Sequence, residues 1–309
     1  MTRTPTVSVL LMAYNHIDFV DEALSSIEDQ RPPFDVEVIL NDDFSTDGTL
    51  QRIERYAETS RHTCRIPRSE RNLGALPAVA RGIRAATGDY IAFLDADDRW
   101  CDPDKLARQS ELLARRPDLA VAFHNVAVID SAGARTGRLW NDADQKIETT
   151  LDDLMYGCYA HTSSLMIRRS ALTPLPSSYD TFLDPVTDWP LLVLAAHSGG
   201  LHYDAPTMSE YRFHDGGLYQ GLERRRQVET SAAAYLALKP LVAERLRHRL
   251  DEERRVFLGT SAQEAAASGR RRDALRHQWN ALLGAVTMLG PRRALHDIRQ
   301  LLRIALSRR

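Results

Sequence analysis

Cysteine is scarce in this chain: Cys64, Cys101 and Cys158 are its only three, and no pair has C-x-x-C spacing. That argues against a disulfide framework or a zinc site and fits a reducing compartment. Long apolar runs are missing too. No window approaches the roughly 18 uncharged apolar residues that a membrane-spanning helix needs, so none is expected. Met1 to Thr6 lack a signal peptide's charged-then-apolar pattern, and the expected location is the cytoplasm. Strong net charge is also absent. The formal value of −2 gives no global case for nucleic-acid binding, and no nucleic-acid partner is expected.

The near-zero sum hides an uneven distribution. Residues 221–309 hold 19 Lys and Arg against 9 Asp and Glu, whereas residues 1–220 hold 21 against 33. An acidic body carries a basic tail. Along the body, short apolar runs alternate with helical periodicities. Val7–Met12, Phe34–Leu40, Cys64–Pro67 and Tyr90–Leu94 read as strands. His16–Gln30, the stretch after Ser45-Thr46-Asp47, and Ala75–Thr87 read as helices, the last ended by Gly88. This order predicts βαβ units and a mixed, mainly parallel α/β sheet flanked by helices. Further on, a helix is expected from Pro103 to Arg116, a strand over Leu119–Val128 and a polar, turn-rich stretch over 130–150. A strand over Ser163–Ile167, a helix from Pro190 to Ala196 and one or two strands over Leu201–His214 follow. From Gly221 onward only helices are expected, divided near Gly259, Gly269 and Gly290-Pro291.

The chain turns on Gly88 to Trp100, where Tyr90–Leu94 breaks abruptly into Asp95, Asp97 and Asp98. Like charges this close need solvation or a cation. Mg2+ and Mn2+ favour carboxylate oxygens and also bind phosphate. In open α/β sheets, ligands lie past the carboxyl ends of the strands, where this cluster falls. The alternative is an acidic turn in which Asp97 or Asp98 caps the next helix. Tyr14-Asn15 and Asp42-Asp43 also follow strands, so three polar loops are expected at one sheet edge. Asp97 is the first choice as metal ligand, while Asp95 holds the metal, a metal-bound water or ribose. Asp43 accepts from a base or sugar, or only fixes an Asx-turn. Tyr14 lines a base pocket or packs at its rim. Arg81 meets phosphate, balances the aspartates or faces solvent. Asp188, beside Trp189 and Pro190, is a candidate general base or a helix N-cap. His214 is a metal or phosphate ligand or an ordinary histidine, and Gly216-Gly217 after it would permit a closing loop.

Taken together, Pro5–Val9 leading to Ala13-Tyr14-Asn15, then Asp42–Thr49, Asn72-Leu73-Gly74 and Gly88–Asp98 resemble the inverting family 2 glycosyltransferases of GT-A fold over residues 5–215. The resemblance implies a nucleotide-sugar donor, usually a UDP-sugar, with Mn2+ or Mg2+ at Asp95-Ala96-Asp97. It places Ala13, Tyr14, Asn15 and Asp43 around the nucleotide, with Asn72 and Arg81 on the same donor side. It gives Asp188, in Thr187-Asp188-Trp189, the base role, and it makes Tyr211-Arg212-Phe213-His214 a segment that closes the site. Thr162–Arg169 resembles an acceptor-side strand. Three departures stand out. Phe44 replaces a usual Gly, Thr187 a usual acid, and Pro190 follows the aromatic residue. The first predicts an altered turn beside the donor, and the others a shifted base.

The expected layout is a catalytic domain over 1–220, with a nucleotide-binding half (1–100) and an acceptor half (101–220), and a basic helical extension over 221–309. The expected acceptor is a saccharide or lipid-linked hydroxyl in surface polysaccharide or glycolipid synthesis. The extension is read either as helices lying on the inner face of an anionic membrane or as an appendage packed on protein, including a second copy. A sugar nucleotidyltransferase is the alternative enzyme, but Ala13-Tyr14-Asn15-His16 is unlike the Gly-rich basic loop it would need. A non-catalytic nucleotide-sugar-binding or scaffold protein is the third reading.

Overall fold

Val7–Ala13 forms strand β1, buried almost throughout, as a central strand covered on both faces must be. The computed structural model describes residues 6–180, 188–217, 219–288 and 291–306. Helix α1 (Val20–Glu28) buries Val20, Ala23, Leu24 and Ile27 in one core with Val9 and Leu11 of β1. It begins later than its periodicity predicts, because His16 to Phe19 form a turn in which the Phe19 and Val20 N–H groups donate to the His16 carbonyl. Strand β2 (Val36–Asp42), α2 (Thr49–Thr59), β3 (Thr63–Arg65), α3 (Ala75–Ala85) and β4 (Tyr90–Asp95) complete the alternation. Gly82 of α3 sits directly over Leu10, so α3 covers the face of β1 that α1 does not. Gly88 does not end α3, which stops at Ala85. Its role is close approach, since a Cβ there would lie 2.6 Å from the backbone nitrogen of Ser8.

Next come β5 (Arg99–Trp100), α4 (Lys105–Arg115), β6 (Leu119–Ile129), β7 (Arg135–Leu139), β8 (Glu148–Thr149), β9 (Met166–Arg168), α5 (Asp188–Ala195) and β10 (Gly200–Arg212). The sheet order is β3-β2-β1-β4-β9-β6-β10-β5, with β7 on β6 and β8 on β10. Strands β1 to β4 pair in parallel, β9 runs antiparallel to both β4 and β6, and β10 runs parallel to β6. The two reversals across β9 cancel, so β10 points the same way as β4.

Several expectations fail locally. Thr162–Ser164 is a short 3-10 turn, and only Met166–Arg168 is strand. The polar stretch 130–150 contains β7 and β8. Leu201–His214 holds a single strand, one of the two expected alternatives, which spans Gly200–Arg212 and whose register slips between Asp204 and Ser209, around Pro206. Pro190 is the third residue of α5 rather than the first.

By compactness the chain divides into Met1–Leu154 with Cys158–Gly217, and Met155–Gly157 with Leu218–Arg309. The second unit contains α6 (Arg224–Leu238), α7 (Glu244–Ala267), α8 (Arg271–Met288) and α9 (Pro291–Leu306). Its small cores join Val228, Ala232, Leu258 and Ala281, and Ala262, Ala265, Ala274 and Ile304. Gly259 does not divide helices: α7 passes straight through it, because glycine lowers helix stability without blocking it. Gly269, at φ +72°, does separate α7 from α8. The last division falls between Met288 and Pro291, and Gly290 itself lies outside the described residues. No helix among the described residues is long and apolar enough to cross a membrane.

Candidate active site

Strand register assembles the site. Ala13 lies opposite Asp42, and Met12 lies opposite Asp95, so the loops after β1, β2 and β4 leave one sheet edge together. The matching direction of β10 brings Arg212–His214 to that edge as well.

The loops after β1 and β2 lock onto each other. The Asp43 N–H donates to the Ala13 carbonyl at 2.8 Å. Asn15, at φ +57°, donates its N–H to Ser45 Oγ (2.8 Å), and its Oδ1 accepts from the Thr46 N–H (2.9 Å). Ala13 is buried, and Tyr14 is exposed. Asp43 is buried, and its carboxylate accepts the Leu73 and Gly74 N–H groups at 2.9–3.1 Å. Asn72 Oδ1 also accepts from Gly74 N–H, at 2.9 Å. Burial pushes the Asp43 pKa up even against these two N–H groups and Arg81. Arg81 reaches the same corner from α3. It donates to Asn41 Oδ1 (3.0 Å) and the Asp42 carbonyl (2.7 Å) and lies 3.8 Å from Asp43 Oδ1. Of the three roles considered for Arg81, balancing the aspartates is the one its contacts display. Phe44 takes φ +69°, a left-handed conformation that glycine adopts freely.

The acidic turn after β4 divides its carboxylates by environment. Asp97 Oδ2 lies 3.1 Å from His214 Nε2 and 3.6 Å from His16 Nε2. Burial disfavours its charge, but the two histidines outweigh that and hold the Asp97 pKa below the ordinary value. Asp95 has the opposite balance. Burial, then Asp97, then Asp188 push its pKa well up. Asp98 is buried, and its Oδ1 accepts the Arg212 N–H at 2.9 Å. Neither Asp97 nor Asp98 caps the next helix, since α4 starts at Lys105 after Asp104. Asp98 instead ties the turn to β10.

Arg212 completes that tie. Its guanidinium is buried, with Nε donating to the Asp97 carbonyl (2.9 Å), Nη2 to Glu22 (2.9 Å) and Nη1 to the Ser131 carbonyl (3.3 Å). It lies 4.9 Å from the centre of the Phe19 ring, which also meets His214 edge-on at 4.7 Å. Asp188 opens α5, and its Oδ1 accepts the neighbouring Trp189 N–H at 2.9 Å. Burial raises its pKa, against that N–H and the thiol of Cys158. Trp189 Nε1 donates to the Leu154 carbonyl (2.8 Å), and the Tyr179 hydroxyl donates to the Pro190 carbonyl (2.7 Å), which fixes the start of α5. Thr187 lies outside the described residues.

Three participants were not singled out from the sequence: His16, Glu22 and Cys158. His16 was findable, because it directly follows Tyr14-Asn15 and polar residues after strand ends were the signal used for the others. No three His, Cys, Asp or Glu side chains form a ready-made metal cage among the described residues. What is present suits a partial site. A charged Asp97 with imidazole nitrogens beside it, and Asp95 next to it, match Mg2+ or Mn2+, which take one or two carboxylates and complete their shell with substrate phosphate and water.

The fold is that of glycosyltransferases. TarS of S. aureus (residues 1–349, solved with UDP-GlcNAc) superposes with a TM-score of 0.64 at 17% identity, covering 97% of this chain and 90% of that one. Residues 8–173 match the sequence profile of glycosyl transferase family 2, and the chain belongs to that family. An uncharacterized protein of Mycobacterium tuberculosis is 33% identical over 228 residues, 72% of this chain and 64% of that protein. The putative teichuronic acid biosynthesis glycosyltransferase TuaG of Bacillus subtilis is 38% identical over 165 residues, 53% of this chain and 63% of that protein. The match thus spans less than two thirds of either relative's length. Family membership sets aside the sugar nucleotidyltransferase alternative.

Proposed function

We propose that this glycosyltransferase is metal-dependent and inverting, and that it moves a sugar from a nucleotide-sugar, a UDP-sugar foremost, to an acceptor hydroxyl in polysaccharide or glycolipid synthesis. One observation carries the reading: a charged Asp97 flanked by histidines and a half-buried Asp188 of raised pKa both act on Asp95. One carboxylate is kept ionised for binding and another is made more basic for proton removal. The UDP preference is supported by the UDP-GlcNAc bound to TarS, and the pathway by TuaG's assignment to teichuronic acid biosynthesis.

In this reading Ala13, Tyr14, Asn15, Asp43 and Asn72 form the nucleotide pocket, and Arg81 holds Asp43 in place. Asp97, Asp95 and His214 would hold a Mn2+ or Mg2+ ion, which when bound supplies Lewis-acid neutralisation of the diphosphate's charge. Asp188 accepts the proton of the acceptor hydroxyl. The oxygen forms a bond to the anomeric carbon as the bond to the diphosphate oxygen breaks on the opposite face, inverting the configuration. The rigid loops after β1, β2 and β4 supply positioning, which carries much of the rate.

Asp188→Asn tests the reading directly. It is expected to lower transfer by about a thousandfold or more, as loss of a general base does, while the thermal shift produced by UDP-sugar with Mn2+ stays at the wild-type value. Near-normal transfer by this variant would remove Asp188 as the base. Proton NMR of the first-formed product reads the anomeric configuration, and a retained configuration would overturn the inverting mechanism.

A further inference from the structure

The positive charge of the second unit is concentrated at one end. Residues 221–268 hold 9 Lys and Arg against 7 Asp and Glu, close to balance, whereas residues 269–309 hold ten Arg and only two acids, Asp273 and Asp297. Asp297 is buried and already engaged by Arg255 at 3.3 Å and by Gln278 at 3.2 Å. It therefore offsets little of the charge outside.

The same helices expose large apolar side chains. On α8, Arg272, Arg276, Trp279 and Leu283 recur at helical spacing and are all exposed. On α9, Ile298, Arg299, Leu302 and Arg303 are exposed likewise. Trp279, Leu283 and Leu302 each show about half their surface, at 50%, 47% and 52%. These are not core residues left over from packing. The inner faces are already filled by Ala274, Ala281, Leu282, Leu301 and Ile304. The outer faces thus interleave arginine with tryptophan and aliphatic residues.

We infer that the outer face of α8 and α9 docks on an anionic lipid bilayer, lying in the plane of the headgroups. The chemistry is complementary on both counts. Arginine meets lipid phosphate, while Trp279, Leu283, Ile298 and Leu302 enter the boundary with the acyl chains. The docking is peripheral, because no helix among the described residues can span a bilayer. A second copy is the poorer occupant, since pairing this face with itself would oppose the exposed Arg272, Arg276, Arg299 and Arg303 to the same four arginines.

Sedimentation of the full chain with vesicles tests the assignment. The chain is expected to pellet with phosphatidylcholine vesicles containing phosphatidylglycerol and to stay in solution with pure phosphatidylcholine. Two variants separate the contributions. Trp279→Ser with Leu283→Ser, and Arg272→Gln with Arg299→Gln and Arg303→Gln, are each expected to weaken anionic-vesicle binding by about tenfold or more. Helix content by circular dichroism and the thermal shift produced by UDP-sugar with Mn2+ should be unchanged in both, which distinguishes failure of this face from failure of the catalytic reading. Binding of both variants at wild-type strength would overturn the proposal, as would equal binding to neutral vesicles or no vesicle binding. A concentration-dependent dimer in solution, lost in the Trp279/Leu283 variant and unaccompanied by vesicle binding, would make the face a contact between copies and overturn it too.

Discussion

Phe44 holds a backbone conformation that its own side chain disfavours. Its φ of +69° is a conformation that costs a residue with a Cβ about 1–2 kcal/mol. Phe44→Gly is therefore expected to raise stability by up to about 1 kcal/mol, part of the relief being offset by glycine's freer unfolded chain; a urea melt measures it. If the exposed ring lines the donor pocket, the same variant weakens nucleotide binding, so a more stable protein with unchanged affinity would show the ring to be idle. The sequence marked Phe44 as a departure and predicted an altered turn. A strained φ is not written in residue type, so the left-handed conformation of Phe44 was not legible. Asp98 is a similar case. Its acidity was visible, but its partner, the backbone N–H of Arg212, lies 114 positions along the chain. A short-range rule therefore offered a helix cap in its place.

Lys105 opens α4 from a fully buried position, donating to Gln109 Oε1 at 2.7 Å and lying 4.4 Å from the centre of the Trp100 ring. Burial lowers its pKa from 10.5 to about 7. Between those values the unfolded chain holds a proton that the folded chain has lost, so this group makes stability rise with pH across the interval. Below about pH 7 both states are protonated and the cost of burying the charge is fully present. Lys105→Met has no such titration. The wild type is thus expected to gain stability relative to the variant as pH rises from about 7 towards 10.5, read as the difference between their urea midpoints. A pH-independent difference would contradict a buried, titrating Lys105. The helix itself was legible from its periodicity, but the depth of its first residue was not, because a lysine beside Asp104 reads as a solvated end.

At the scale of the molecule, the alternation of strands and helices through Tyr90 was legible, because each element carries its own period. The reversal through β9 was not. A three-residue strand between two turns has no periodicity to read, yet it decides that β10 ends at the same sheet edge as β4. The candidate site shows the same division. Asp43, Asp95 and Asp97 lie within the family-matched residues 8–173, whereas Asp188 and His214 lie beyond them and were placed by short motifs alone. Because no three-ligand cage exists among the described residues, cation and diphosphate should complete each other's site. Mn2+ alone is expected to shift the melting temperature little and UDP-sugar alone modestly. The two together should shift it by more than the sum, since each raises the other's affinity by the same factor. A strictly additive response in a thermal-shift matrix, including GDP-, dTDP- and CMP-sugars, would exclude a shared metal–diphosphate site.

The position of β10 also sets a schedule. It is the last strand of the sheet to be synthesised, yet it takes an interior place between β6 and β5. The acidic turn at Asp95–Asp98 is made more than a hundred residues before Arg212 and His214, which clamp and flank it. A chain emerging from the ribosome thus carries its aspartates early and gains their partners late. On the proposed reading, the donor site is complete only when this final strand is seated.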